Sequence, residues 1–216
     1  MVGGPVLPDP PPEPTQDLYS IVSSPLPLIL CFGDSLTAGF RSPTPDDPVP
    51  TETPYGRYLE ERLYKRARVR ISGICGERTD EMVHRFPQEL LTHKPTYTVV
   101  LGGTNDLGWN IPPATIMHNL RELYEHAIAS SAGPIAVSVP SIRGFDEYIQ
   151  GRYELNTLLM EYCARRNVPY IDLFRATAEP GTGRLDAQYS NDGLHLTEQG
   201  YRLLAELLYT EVFQNL

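Results

Sequence analysis

Five short β-rich runs, separated by longer stretches of helical periodicity, restrict this chain to one class of fold. The runs are 28–32 (Leu28 to Phe32), 69–71 (Val69 to Ile71), 97–101 (Tyr97 to Leu101), 135–139 (Ile135 to Val139) and 170–173 (Tyr170 to Leu173). Between them apolar residues recur three and four positions apart. Tyr58, Leu59, Leu63 and Tyr64 make one such face, and Met117, Leu120, Leu123, Tyr124 and Ile128 another. Leu158, Leu159, Tyr162 and Cys163 form a third, and Tyr201, Leu203, Leu204, Leu207 and Leu208 a fourth. Strands alternating with helices predict an α/β fold of three α/β/α layers, with a five-stranded parallel sheet in the middle. The nearly unbroken apolar character of the runs agrees, because strands covered on both faces have no polar side. In open sheets of this kind ligands bind just past the carboxyl ends of the strands. The residues that directly follow each run are therefore the informative ones.

The bulk properties narrow the class of function. A length of 216 residues suits one domain. A formal net charge of −9 argues against a nucleic-acid binder and against adsorption to anionic membranes. The longest apolar run begins at Leu28 and is broken at Gly33, too short to span a bilayer. No Lys or Arg occurs before Arg41, so the basic start of a secretory signal is missing and a cytoplasmic location is expected. Cys31, Cys75 and Cys163 are an odd set without a Cys-x-x-Cys pair, which fits a reducing compartment. Proline is unevenly spread, with a first cluster from Pro5 to Pro14 and a second from Pro43 to Pro54. The first reads as an extended arm, giving a proline-rich segment over 1–25 and a folded domain over 26–216. The second lies between structured segments and reads as a loop.

Each of the first three runs is followed by a short polar or glycine-bearing block. Gly33-Asp34-Ser35-Leu36-Thr37 comes after the first. A serine at a helix start sits among unpaired backbone amides, where it can serve as a nucleophile or simply cap the helix. The block is not a G-x-S-x-G elbow, since position 37 is Thr. Gly73-Ile74-Cys75-Gly76-Glu77-Arg78-Thr79 follows the second run, with two glycines that allow close backbone approach or an ordinary turn. Cys75 there reads more readily as a small buried hydrophobe than as a nucleophile. Gly103-Thr104-Asn105-Asp106 follows the third run and offers an amide donor suited to an oxyanion, or an Asn-Asp turn. Before the last helix stands Asp192-Gly193-Leu194-His195, then Thr197 as a helix cap. A carboxylate three residues before an imidazole can take its Nδ1–H and leave Nε2 free to accept a proton, or the block is an Asn-Asp-Gly turn beside an incidental histidine.

Taken together, these four blocks resemble those of the GDSL, or SGNH, hydrolase superfamily, in order and from about Leu28 to the last helix. Gly33-Asp34-Ser35-Leu36 is similar to the nucleophile block, Gly76-Glu77 with Thr79 to the glycine block, Gly103-Thr104-Asn105-Asp106 to the asparagine block, and Asp192-Gly193-Leu194-His195 to the final one. The resemblance implies a flavodoxin-like three-layer fold and a serine esterase or acylhydrolase. Ser35 would attack, His195 act as base, Asp192 orient it, and Ser35, Gly76 and Asn105 form the oxyanion hole. Gly73 competes with Gly76 for the glycine position; the Glu77 and Thr79 that follow favour Gly76.

No cofactor and no metal are expected, because His84, His93, His118 and His126 form no ligand set at helical spacing. The expected partner is a small-molecule ester, with neither nucleic acid nor stable membrane insertion. Asp34 and Asp106 are expected to brace their loops, since another carboxylate beside the oxyanion would oppose its charge. The 41–54 loop is expected to overhang the site, and Trp109 with Ile111 to offer an apolar wall or mere surface packing. Two readings of other classes stay open. One is a flavodoxin-like nucleotide or flavin binder, which would want a phosphate-cradling first loop where Asp34 stands. The other is a non-catalytic interaction domain working through the proline-rich arm.

Overall fold

The computed structural model of the chain describes Met1, Gly4 and residues 25–216. The expected proline-rich arm lies outside the described residues, apart from Met1, Gly4 and Pro25. Strand β1 (Leu28–Gly33) leads into a single helical turn, α1 (Ser35–Ala38). Two short strands, β2 (Phe40–Arg41) and β3 (Thr51–Glu52), precede α2 (Tyr55–Arg62). Then come β4 (Arg68–Gly73), α3 (Thr79–His93), β5 (Tyr97–Leu101), α4 (Thr104–Gly108), α5 (Pro113–Ala129) and β6 (Gly133–Val137). A 3₁₀ turn (Asp146–Tyr148) opens α6 (Ile149–Arg166), and β7 (Tyr170–Ile171), α7 (Leu173–Thr177) and α8 (Glu198–Leu208) complete the order.

The five long-range strands form one parallel sheet in the order β4-β1-β5-β6-β7. Side chains alternate across it, and the alternation sorts the core into two halves. Ile29, Cys31, Val99, Leu101, Ile135, Val137 and Ile171 face the layer carrying Leu59 of α2 and Tyr201, Leu204 and Leu208 of α8. Leu30, Phe32, Val100 and Ala136 face the other layer, with Phe86 of α3, Leu120 and Tyr124 of α5, and Leu159 of α6. Each fully buried Leu, Ile or Phe contributes about 1.5–3 kcal/mol by removal from water. The two helical layers are thus held to the sheet independently. Among the described residues no helix is long and apolar enough to cross a membrane.

Register explains why three blocks distant in sequence meet. Gly33 ends β1 opposite Gly73 of β4 on one side and Leu101 of β5 on the other. The loops bearing Ser35, Gly76 and Asn105 therefore leave neighbouring strands at the same level.

Local chemistry moves several expected boundaries. The last strand stops at Ile171 because the Asp172 side chain accepts the Arg175 N–H at 2.9 Å and starts α7. The fourth stops at Val137; beyond it buried Asn156 takes over, accepting from Val139 N and donating to Val139 O, both at 3.0 Å. The proline-rich 43–54 stretch is mostly loop, but its end pairs back, with Phe40 opposite Glu52 and Arg41 opposite Thr51. Tyr64 does not join the apolar face of α2: that helix ends at Arg62, and the Tyr64 ring points outward, 71% exposed.

Candidate active site

Asp34 caps α1 by accepting the Leu36 N–H at 2.9 Å, which places Ser35 as the first helical residue. The Ser35 N–H is then one of the amides that a helix start leaves without an internal acceptor. The residue is nearly enclosed, at 6% exposure. Its Oγ lies 3.2 Å from His195 Nε2, and His195 Nδ1 lies 2.7 Å from Asp192 Oδ2. With the Nδ1 proton directed at Asp192, Nε2 presents its lone pair to the Ser35 hydroxyl.

Asp192 is held from several directions. Its Oδ1 accepts the backbone N–H groups of Leu194 and His195, each at 2.8 Å, and the Ser190 hydroxyl at 3.3 Å. Its Oδ2 accepts the Ser42 hydroxyl as well as the imidazole. Partial burial opposes ionisation, but the donors from His195, Ser42 and the two amides outweigh it and keep the carboxyl well below the usual carboxylate range. The Phe40 ring meets the imidazole edge-on, 4.6 Å between centroids.

The two glycines of the second block separate by geometry. At Gly73 a Cβ would stand 2.2 Å from Ala38 N, so this glycine exists to let α1 pack on the end of β4. Gly76 has φ +80° and nothing within 4 Å of a Cβ position, on an open face of the loop. One residue on, the Glu77 carbonyl accepts Asn105 Nδ2 at 2.8 Å. That contact draws the Asn105 amide against the glycine loop and uses one of its two N–H groups.

The loop itself is gripped by Arg85 of α3. Its guanidinium binds Glu77 Oε1 at 2.5 Å and Oε2 at 2.6 Å, Ser72 Oγ at 2.7 Å and Gly33 O at 3.1 Å. The same group lies 4.0 Å over the Phe32 ring. Asp106 accepts the Thr79 N–H at 3.0 Å and the Thr79 hydroxyl at 2.5 Å, tying the asparagine block to the start of α3. Asp34 and Asp106 thus sit in bracing geometry, and burial raises both: Asp34 to about 7, and Asp106 above its ordinary value.

The structure brings Ser35, His195 and Asp192 into one hydrogen-bonded chain and sets Gly76 and Asn105 in adjoining loops. Cys75 is exposed rather than buried, because it rides the turn that carries Gly76. Ile111 packs against the core, while Trp109 is 71% exposed beside Arg78, so the two form no common wall. Thr197 caps α8, accepting the Gly200 N–H at 3.3 Å. Ser42, Phe40 and Arg85 were not anticipated from the sequence. Among the described residues no group of three or more His, Cys, Asp or Glu side chains is placed to hold a metal ion. Where a nucleotide phosphate would use the N-terminus of α1, the Asp34 carboxyl already takes the Leu36 amide.

The chain is 25% identical over 193 residues to an arylesterase of Vibrio mimicus, covering 87% of this chain and 89% of that one. Over 111 residues it is 24% identical to thioesterase 1/protease 1/lysophospholipase L1 of Escherichia coli (strain K12), which is 51% of this chain and 50% of that protein. The crystal structure of a lipase/acylhydrolase from Enterococcus faecalis superposes with a TM-score of 0.70 at 30% identity, covering 88% of this chain and 96% of that one. The family model described as GDSL-like Lipase/Acylhydrolase matches residues 31–203, and the chain belongs to that family.

Proposed function

We propose that this protein is a serine esterase that cleaves small carboxylic esters through an acyl-enzyme on Ser35. The observation that carries the reading is the continuous relay from Ser35 Oγ to His195 Nε2, 3.2 Å, and from His195 Nδ1 to Asp192 Oδ2, 2.7 Å. Ser35 Oγ attacks the ester carbonyl while His195 takes its proton at Nε2. Asp192 holds the ring in the tautomer this requires and stabilises the imidazolium that forms. The carbonyl oxygen becomes an oxyanion and is met by the Ser35 and Gly76 N–H groups and the free N–H of Asn105. His195 returns the proton to the departing alcohol. A water molecule then attacks the acyl-enzyme with His195 as base, releasing the acid and restoring Ser35.

The names of the relatives, an arylesterase and a thioesterase/lysophospholipase, set the range of acyl and leaving groups worth testing. The test is a series of p-nitrophenyl esters from acetyl to decanoyl, run with and without a serine-directed organophosphonate. A burst of p-nitrophenol equal to the enzyme concentration, abolished by the organophosphonate, supports the acyl-enzyme. No turnover of any member would overturn the assignment.

A further inference from the structure

Ser42 lies outside all four sequence blocks, in the 41–54 loop just before the proline-rich stretch, yet its hydroxyl donates to the Asp192 oxygen that faces His195 Nδ1. We propose that Ser42 is a positioning residue for the proposed reaction, which fixes the Asp192 carboxylate against His195; the inference rests on the Ser35-His195-Asp192 reading above.

The placement follows from the backbone around it. Gly39 ends α1 in the left-handed region, φ +81°, and its carbonyl accepts the Thr53 N–H at 2.8 Å. The next residues pair as β2 with β3, and the Phe40 carbonyl accepts the Tyr201 hydroxyl of α8 at 2.7 Å. That anchor directs the Phe40 ring onto the imidazole and leaves Ser42 beside Asp192. One short segment therefore touches both members of the acid–base pair.

The division of labour at Asp192 makes the role specific. Oδ1 is held within its own turn by Leu194 N, His195 N and Ser190 Oγ. Those bonds position Oδ1 but leave Oδ2 to be fixed by what approaches it. Among the described residues Ser42 is the donor that reaches Oδ2 from outside the turn, so it sets how the second oxygen meets Nδ1. A donor at Oδ2 also draws charge from the carboxylate, which tempers its pull on the imidazole proton. Removing it leaves the turn intact but the carboxylate more basic and less aligned.

The experiment compares Ser42→Ala and Ser42→Thr, with turnover expressed per active site titrated by organophosphonate. Ser42→Ala should lower kcat by about 5- to 30-fold with KM within about twofold. Its acid limb of kcat/KM should move to higher pH, because the unmoderated carboxylate favours the protonated imidazole. Ser42→Thr, which restores the hydroxyl, should recover most of the rate. Added to Asp192→Ala, Ser42→Ala should have no further effect, since its partner is gone. A fall only in the number of titratable sites, with per-site kcat and the pH profile unchanged, would overturn the inference as a folding effect. Full additivity with Asp192→Ala would overturn it too. Wild-type turnover in Asp192→Ala alone would overturn the acid–base reading itself, and the Ser42 role with it.

Discussion

Arg85 and Glu77 form a two-pronged ion pair, 2.5 and 2.6 Å, in which the carboxylate side chain is only 5% exposed. The guanidinium reaches past Glu77 to the Gly33 carbonyl, two residues before Ser35, and to Ser72 at the end of β4. Because the Glu77 backbone in turn receives the Asn105 amide, one arginine links the loops of all three neighbouring strands. Breaking the pair leaves a charge stranded in a poorly solvated position. Arg85→Ala should destabilise the fold by about 3–5 kcal/mol. The double change Arg85→Met with Glu77→Leu should recover much of that in a denaturant titration. Its kcat should nevertheless remain depressed, since the carbonyls of Gly33 (3.1 Å) and Ser72 (3.2 Å), both of which accept from Arg85 Nη2, have lost their shared donor. A double variant with wild-type kcat would show that the clamp serves stability alone.

Asn105→Ala tests the proposed oxyanion hole. One amide N–H is committed to the Glu77 carbonyl, and the other has no acceptor among the described residues. Losing a donor that acts mainly on the developing charge should lower kcat by about 100- to 1,000-fold with little change in KM. The Glu77 carbonyl also loses its partner, so a small loss of stability should accompany the change. A sharp rise in KM at unchanged kcat would make Asn105 a ground-state contact instead.

Sequence order was enough to reach the sheet and the four blocks because both rest on local signals. Apolar runs and helical spacing are properties of neighbours in the chain, and each block follows a run at once. Arg85 and Ser42 carry no such signal. Arg85 stands mid-helix, eight residues from Glu77. Ser42 lies 150 residues from Asp192 in a stretch whose composition says only loop. Their roles arise from strand register and from the anchoring of Phe40 by Tyr201, both tertiary facts. The Cys75 expectation failed for a related reason. Burial frequencies describe a residue type on average, whereas its exposure here comes from the φ +80° turn at Gly76.

The exposure of Cys75 next to Gly76 makes nucleophile identity directly testable. Ser35→Ala should reduce esterase turnover by about 10,000-fold or more, as when a nucleophile is removed from a unit acting together. Cys75→Ala should retain wild-type kcat, since partial desolvation of the otherwise exposed thiol, with the nearby Glu52 and Asp34 charges, holds it above its ordinary range and disfavours the thiolate. After organophosphonate treatment, peptide mass mapping should find the adduct on Ser35. An adduct on Cys75 would reassign the nucleophile.

Asp34 should impose a pH dependence on stability whose sign runs against the common carboxylate pattern. Its side chain is fully buried, Oδ1 takes only the Leu36 amide, and Oδ2 has no partner among the described residues. Burial therefore raises it from 3.8 to about 7, with the nearby Asp106 and Glu77 charges adding to the effect and the Leu36 amide and His195 opposing it. In the unfolded chain an aspartate loses its proton near about pH 3.9. Between these values the folded state binds more protons than the unfolded one, so stability falls as pH rises through the window and levels off above about 7. A shift of this size corresponds to about 4 kcal/mol. Asp34→Asn keeps the shape and the acceptor for Leu36 but cannot titrate. The stability of wild type minus that of the variant, measured by guanidinium unfolding, should decline from pH 4 to pH 7 and then stay flat. The Asp192 contribution runs the other way but is common to both proteins and cancels in the difference. Parallel curves across pH 4–8 would mean that Asp34 is already ionised in the folded protein. The cap would then be holding a full negative charge next to Ser35.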